Sequence, residues 1–370
     1  MRTAIISDLH LGSARGGDVL RDAAVRRVLL EEIGGADRVI LLGDVVELRD
    51  RPLGPALDLS RPFFEDLGDA LGEREVTIVP GNHDHRFAEP LLDDLSLAGA
   101  ELGLEHTHHP SPGPTAAIDA WLGPARLGIA YPGVWVRDDV YAGHGHYMDA
   151  HLTLPRAECV AVAAMIRAVG PLPERAGPAD YERVLRPIYG FGFGLAQVRP
   201  APVVRNQGLI SEAAWETLAG TGDEGRRGRF GARALRTAFP AGIWALNRLL
   251  RSGFEADVSG GAIFRGGVAA ATETARRLGL EGVHVINGHS HRAGPLDDES
   301  EWPLPGGGRL HNTGSWVFAS AFHLPGHPPN PYWPGTVTWV EDTTAPRRLQ
   351  LLLDRSHDEM AELVSRATRR

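Results

Sequence analysis

Three short apolar runs early in the chain, Thr3–Ser7, Arg38–Leu42 and Val76–Val79, each lead straight into a polar cluster: Asp8-Leu9-His10, Gly43-Asp44 and Pro80-Gly81-Asn82. Brief aliphatic runs bounded by such turns read as buried strands. The stretches Val19–Ile33 and Pro62–Leu71 between them carry apolar residues at helical spacing. Strands alternating with helices predict a layered α/β core, in which ligands collect at the carboxyl ends of the strands. Asp8, Asp44 and Asn82 all fall at such ends.

Further along, Arg126–Tyr131 and Val134–Ala142 read as strands, the second running into Gly143-His144-Gly145-His146. From about Pro155 to Gly282 the periodicity turns helical, most clearly in Ala157–Val169, Ala232–Arg251 and Ile263–Leu278. Strand signals return at Val283–Asn287, Arg309–Thr313, Thr336–Val340 and Arg348–Leu353, before a C-terminal helix from about His357 and a solvated tail at Arg366–Arg370. The organisation expected is a core over 1–154 and 282–370, split by a helical insertion or cap over 155–281. Phe191, Phe193, Phe239, Ile243, Trp244, Leu246, Leu249 and Leu250 could form a lid. For most of them the insertion's own core is the expected place.

At 370 residues and 43% hydrophobic, the chain can bury a substantial core. The single cysteine, Cys159, excludes an internal disulfide and a cysteine zinc cluster. Any metal must therefore be held by nitrogen and oxygen. The sixteen histidines, with abundant Asp, suit Mn, Fe, Co, Ni or Zn. A net charge of -9 argues against non-specific nucleic-acid binding, which rests on Lys and Arg neutralising phosphates. No window reaches the ~18 apolar residues a spanning helix needs, and the opening run is too short for a signal peptide. A cytoplasmic protein is expected.

Two ligands one residue apart on a turn, as in Asp8-Leu9-His10 or His289-Ser290-His291, can both face one ion, and neighbouring glycines let the backbone turn sharply. Any one cluster arises often by chance. In order, however, Asp8-Leu9-His10, Gly43-Asp44-Val45-Val46-Glu47, Gly81-Asn82-His83-Asp84, Gly143-His144 and Gly288-His289-Ser290-His291 resemble the DxH, GDxxD, GNHD, GH and GHxH pattern of the calcineurin-like metallophosphoesterase superfamily. The resemblance covers roughly 1–150 and 281–353.

That resemblance implies a four-layer α/β/β/α sandwich with the helical insertion added to it. It also implies hydrolysis of phosphate mono- or diesters at a binuclear centre of divalent Mn, Fe, Zn, Co or Ni. One ion would be held by Asp8, His10, Asp44 and His291, and the second by Asp44, Asn82, His144 and His289, with Asp44 as bridge. A hydroxide bridging the ions would be the nucleophile. His83 would protonate the leaving oxygen. Glu47, standing where Asp is usual, would pair with it. The choice of His144 over His146 follows from the order of the motifs.

The substrate expected is a phosphoester, the insertion being able to admit an apolar portion. A nuclease on the same centre and a non-catalytic scaffold of the same fold are the alternatives. Around these motifs Asp84 is expected to brace its loop, and His146, Asp149 and His151 to be outer contacts or solvated loop residues. His85 and Arg86 read similarly. His106, His108 and His109 read as an exposed turn rather than a third metal site, and Asn312–Trp316 as packing beneath the site.

Overall fold

The computed structural model describes residues 1–110, 112–198, 239–319 and 330–368. Its strands are β1 (Thr3–Ile6), β2 (Arg38–Leu42), β3 (Glu75–Val79), β4 (Glu105–His108), β5 (Arg126–Arg137), β6 (Val140–Gly143), β7 (His284–Asn287), β8 (Trp302–Pro303), β9 (Arg309–Asn312), β10 (Thr336–Val340) and β11 (Arg347–Gln350). The labelled helices are α1 (Ala23–Ile33), α2 (Leu53–Leu71), α3 (Glu89–Ala98), α4 (Pro114–Leu122), α5 (Ala157–Val169), α6 (Pro178–Val198), α7 (Gly260–Arg277) and α8 (His357–Thr368). A further helix covers 239–250.

The strands form one curled sheet in the order β11-β10-β1-β2-β3-β5-β6-β7-β9-β8, with β4 on the flank of β5. The first part of β5 pairs parallel with β3, and from Gly133 onward it pairs antiparallel with β6. One strand therefore belongs to both halves of the sheet.

Side chains alternate between faces along a strand, and here that alternation sorts the core into layers. Ala4, Ile6, Val39, Leu41, Val76 and Ile78 pack with residues of α1, α2, α4 and α8. Their neighbours Ile5, Ile40, Leu42 and Val79 face Val134, Val140, Ala142 and Ile286 of the other half-sheet. On the far side, Tyr141, Val285 and Leu310 pack against Ala275, Val268 and Leu278 at α7. The layers run helix, sheet, sheet, helix.

Three local expectations need correction. Helix α2 starts at Leu53 rather than Pro62, and Pro62 lies inside it. A proline there removes one helical hydrogen bond, a cost of ~3 kcal/mol. Burial of Ala56, Phe63, Phe64 and Leu67 along one face offsets that cost. The stretch Val134–Ala142 is not one strand but the hairpin joining β5 to β6, with Arg137 closing the turn onto Asp139. Apolar residues on both sides of Asp138-Asp139 concealed the turn. His106 and His108 lie in β4, where Thr107 pairs with Ala130, because the flank of β5 offers backbone groups that need partners.

Helices α5 and α6 and the helix over 239–250 pack into two further clusters. Val162, Tyr181, Val184, Leu185 and Tyr189 pack with Tyr147, and Ile243 packs with Cys159 and Phe254. Phe239, Leu246 and Leu250 lie against the latter group, and Phe193 against the main core. Phe191, Trp244 and Leu249 remain exposed among the described residues. The expected helix Ala232–Arg251 lies outside the described residues up to 238. Among the described residues no helix is long and apolar enough to cross a membrane.

Candidate metal centre

The polar clusters meet where the two half-sheets come together. Asp8 and His10 follow β1, Asp44 follows β2, Asn82 and His83 follow β3, His144 follows β6, and His289 and His291 follow β7. Six described residues other than glycine have a left-handed backbone: Asp8, His10, Asp44, His289, His291 and Arg251. Five of the six are in this cluster. Such conformations cost of order 1–3 kcal/mol each and persist where the surroundings enforce them, typically at functional sites.

The enforcement is visible in the hydrogen bonds. His10 N donates to Asp44 O at 2.8 Å, and Asp8 N to Gly43 O at 3.0 Å. Asp84 is buried and accepts from Val45 N at 2.7 Å and Gly81 N at 2.6 Å, tying the second loop to the third. Asn312 Nδ2 donates to Gly288 O at 2.6 Å, and Trp316 N to Asp8 O at 3.0 Å, so Asn312–Trp316 braces the first and last loops. Gly43 has φ +79°, and a β-carbon there would run into the His144 ring.

Three of the histidines, His10, His144 and His289, are each tied by one nitrogen and turn the other inward. His10 Nδ1 lies 2.8 Å from Glu47 Oε2, leaving Nε2 3.2 Å from His291 Nε2 and 3.6 Å from Asp44 Oδ2. His144 Nδ1 faces the Leu42 carbonyl at 2.9 Å, which turns Nε2 toward Asp44 Oδ2 at 3.3 Å and Asn82 Oδ1 at 3.2 Å. His289 Nε2 faces Asp149 Oδ1 at 2.9 Å, which turns Nδ1 toward Asn82 Oδ1 at 3.0 Å.

The carboxylates follow the same rule. Asp8 Oδ2 accepts from Ser7 Oγ and His289 N, leaving Oδ1 3.2 Å from His291 Nε2. Asp44 Oδ1 accepts from His83 N at 2.8 Å, leaving Oδ2 inward.

Lone pairs so gathered repel one another, and a cation relieves that repulsion. Asp8, His10 and His291 form one group able to hold a metal ion, and Asp44, His144 and His289 another; His10, Asp44 and His83 also converge. Either orientation of the Asn82 amide finds partners. With Oδ1 inward, Nδ2 donates to Glu158 Oε1 at 3.4 Å; turned over, the oxygen accepts from Arg49 Nη1 at 3.0 Å. Only the first presents an oxygen to a cation.

The electrostatics agree. Burial would push the Asp44 carboxyl up, but the His144 and His83 imidazoles hold it well below the usual range. Burial opposes charge on His10 and His144 as well, yet Glu47 and Asp44 raise His10 to about 9 and Asp44 raises His144 to about 10. The carboxylates thus demand positive charge, which protons or a metal can supply in competition.

The structure brings all nine expected residues, Asp8, His10, Asp44, Glu47, Asn82, His83, His144, His289 and His291, into one site, with His83 Nδ1 2.7 Å from Glu47 Oε2. His146 instead faces Tyr131 OH at 3.3 Å, and His151 faces Tyr181 OH at 2.8 Å. His85 is buried against Glu182, and Arg86 is exposed near the Phe193 ring. Two contributors escaped the sequence reading. Arg49 and Glu158 pair at 2.7 Å beside Asn82. Glu158 comes from the first turn of α5, and nothing in its local sequence marks it.

A helix-flanked sheet sandwich thus gathers nitrogen and carboxylate donors at its strand ends. Residues 1–150 match the family model of the calcineurin-like phosphoesterase superfamily domain, so this part of the chain is such a domain. No curated protein matches the chain.

Proposed function

We propose that the chain hydrolyses phosphate mono- or diesters at a binuclear metal centre. Asp8, His10, Asp44 and His291 would hold one ion, and Asp44, Asn82, His144 and His289 the other, with Asp44 shared. The convergence of acceptor atoms supports this most strongly: the outward nitrogens of His10, His144 and His289 are tied to Glu47, the Leu42 carbonyl and Asp149, so their free lone pairs point inward. Divalent ions bound there supply an acidified water and neutralise charge on the phosphoryl oxygens.

The protein's own groups do the rest. Glu47 holds His83 by Nδ1, which leaves Nε2 to deliver a proton to the leaving oxygen. The His83 side chain is about one quarter exposed (27%), enough to meet a substrate. The ions belong to the set Mn, Fe, Co, Ni and Zn that such donors accept. A cytoplasmic location is part of this reading, with Cys159 buried and free.

The test is elemental analysis of the purified protein beside a panel of mono- and diesters. Asp44→Ala should lose metal and turnover together. His83→Ala should keep its metal while turnover of an aryl phosphate falls roughly 10²- to 10⁴-fold. Undiminished turnover in both variants would overturn the proposal.

A further inference from the structure

A cleft opens beside His289 and Ser290. Its walls are largely apolar, with Ile263, Phe264 and Val268 from α7, Leu152 and Leu154 from the segment after β6, and Trp302 from β8, while Asn287, His311 and Asn312 add polar groups. Arg292 fixes one wall. It is bound to Glu299 and lies 4.0 Å from the Phe264 ring centroid and 5.5 Å from that of Trp302.

Arg156 also lines this cleft but differs from Arg292. Its side chain is exposed and makes no hydrogen bond or ion pair among the described residues. The nearby carboxylates Asp149 and Glu158 act on it through space while hydrogen-bonded to His289 and Arg49. A guanidinium that makes no hydrogen bond among the described residues, in a largely apolar cleft, is a receptor for an anionic group joined to an apolar one. Because His289 lines the cleft and also belongs to the proposed metal centre, both could engage one molecule.

We propose that this cleft binds the organic group of the substrate, and that the substrate is an anionic phosphoester of an apolar alcohol whose phosphate oxygen Arg156 holds. The proposal rests on the phosphoesterase reading for its chemistry, but the cleft can be tested without it.

Gly267 lines the cleft from α7, and a β-carbon there meets nothing within 4 Å. Gly267→Leu therefore fills the cleft without forcing the backbone. With p-nitrophenyl phosphodiesters carrying a methyl or an octyl group, each methylene that enters should raise kcat/KM roughly fourfold. Gly267→Leu should remove the octyl advantage and leave the methyl diester unchanged. Arg156→Ala should lower both roughly 10- to 100-fold, with partial recovery in Arg156→Lys.

Titration calorimetry of the metal-loaded protein gives the readout independent of turnover. Octylphosphonate should bind more tightly than inorganic phosphate to the wild type, and no more tightly to Gly267→Leu. Equal rates for the two diesters with equal binding of the two anions would overturn the cleft assignment and leave the phosphoesterase reading standing. Preferred binding of octylphosphonate with no ester hydrolysed would support the cleft and overturn the hydrolase.

Discussion

Arg49 Nη1 donates to Glu158 Oε1 across 2.7 Å, joining the loop after β2 to the first turn of α5. The same carboxylate oxygen accepts from Asn82 Nδ2. Removing it in Glu158→Ala frees Arg49 to attract the amide oxygen and turn Asn82 away from the metal position. Metal affinity should fall roughly 10- to 100-fold, the usual loss for an outer partner of a ligand. Competition with a chromophoric chelator measures it. Unchanged affinity would reduce the contact to a structural tie.

Glu47 serves two imidazoles, with His10 Nδ1 2.8 Å and His83 Nδ1 2.7 Å from Oε2. Glu47→Gln removes the charge that both rings face. Turnover should drop roughly 100-fold or more, in the range of a lost acid–base partner. Glu47→Asp should recover part of it, since the charge returns at a shorter reach. Steady-state rates at several pH values separate the two variants.

His85 is buried between Glu182 at 3.0 Å and Glu89 at 3.4 Å, within ring contact of Tyr131, His146 and Tyr189. Burial opposes its charge, but Glu182 and Glu89 raise it to about 9. Its stabilising contribution is complete below its ordinary value near 6.5 and is lost as pH rises through 9. Thermal melts should show the wild type losing stability between pH 7 and 9.5, with a shallower loss in His85→Gln. Parallel curves would show that the ion pair contributes nothing.

Gly43→Ala combines a left-handed backbone with a β-carbon driven into the His144 ring. The backbone strain and the collision together should destabilise the fold by ~2 kcal/mol or more. Urea unfolding gives the number. A loss below ~0.5 kcal/mol would mean that the His144 ring can move aside.

The metal loops were legible because each terminates a buried aliphatic run. Ile40-Leu41-Leu42 before Gly43-Asp44 states both a strand and its end. Other features depend on partners remote in sequence. Glu158 reaches Asn82 across 76 residues, and its place on α5 gives no local sign of the contact. His106 and His108 became a strand because β5 had an open flank, a fact about the sheet rather than about those residues. The start of α2 was hidden by Pro62, whose local signal the burial of Phe63 and Phe64 overrides. Arg156 is conspicuous only once its lack of a hydrogen-bond partner among the described residues can be seen.

Because β5 threads both half-sheets while Asp8, His10, Asp44 and Asn82 hang from one and His144, His289 and His291 from the other, the proposed ions would act as a rivet across the fold. A ligand that binds only the assembled form adds its binding free energy to folding, about 2.7 kcal/mol at one hundred times its dissociation constant. Stripped by a chelator, the protein should be cut faster by a protease and should recover resistance when a divalent ion is restored. In a cell short of metal, the same coupling would set how long each copy of the chain survives.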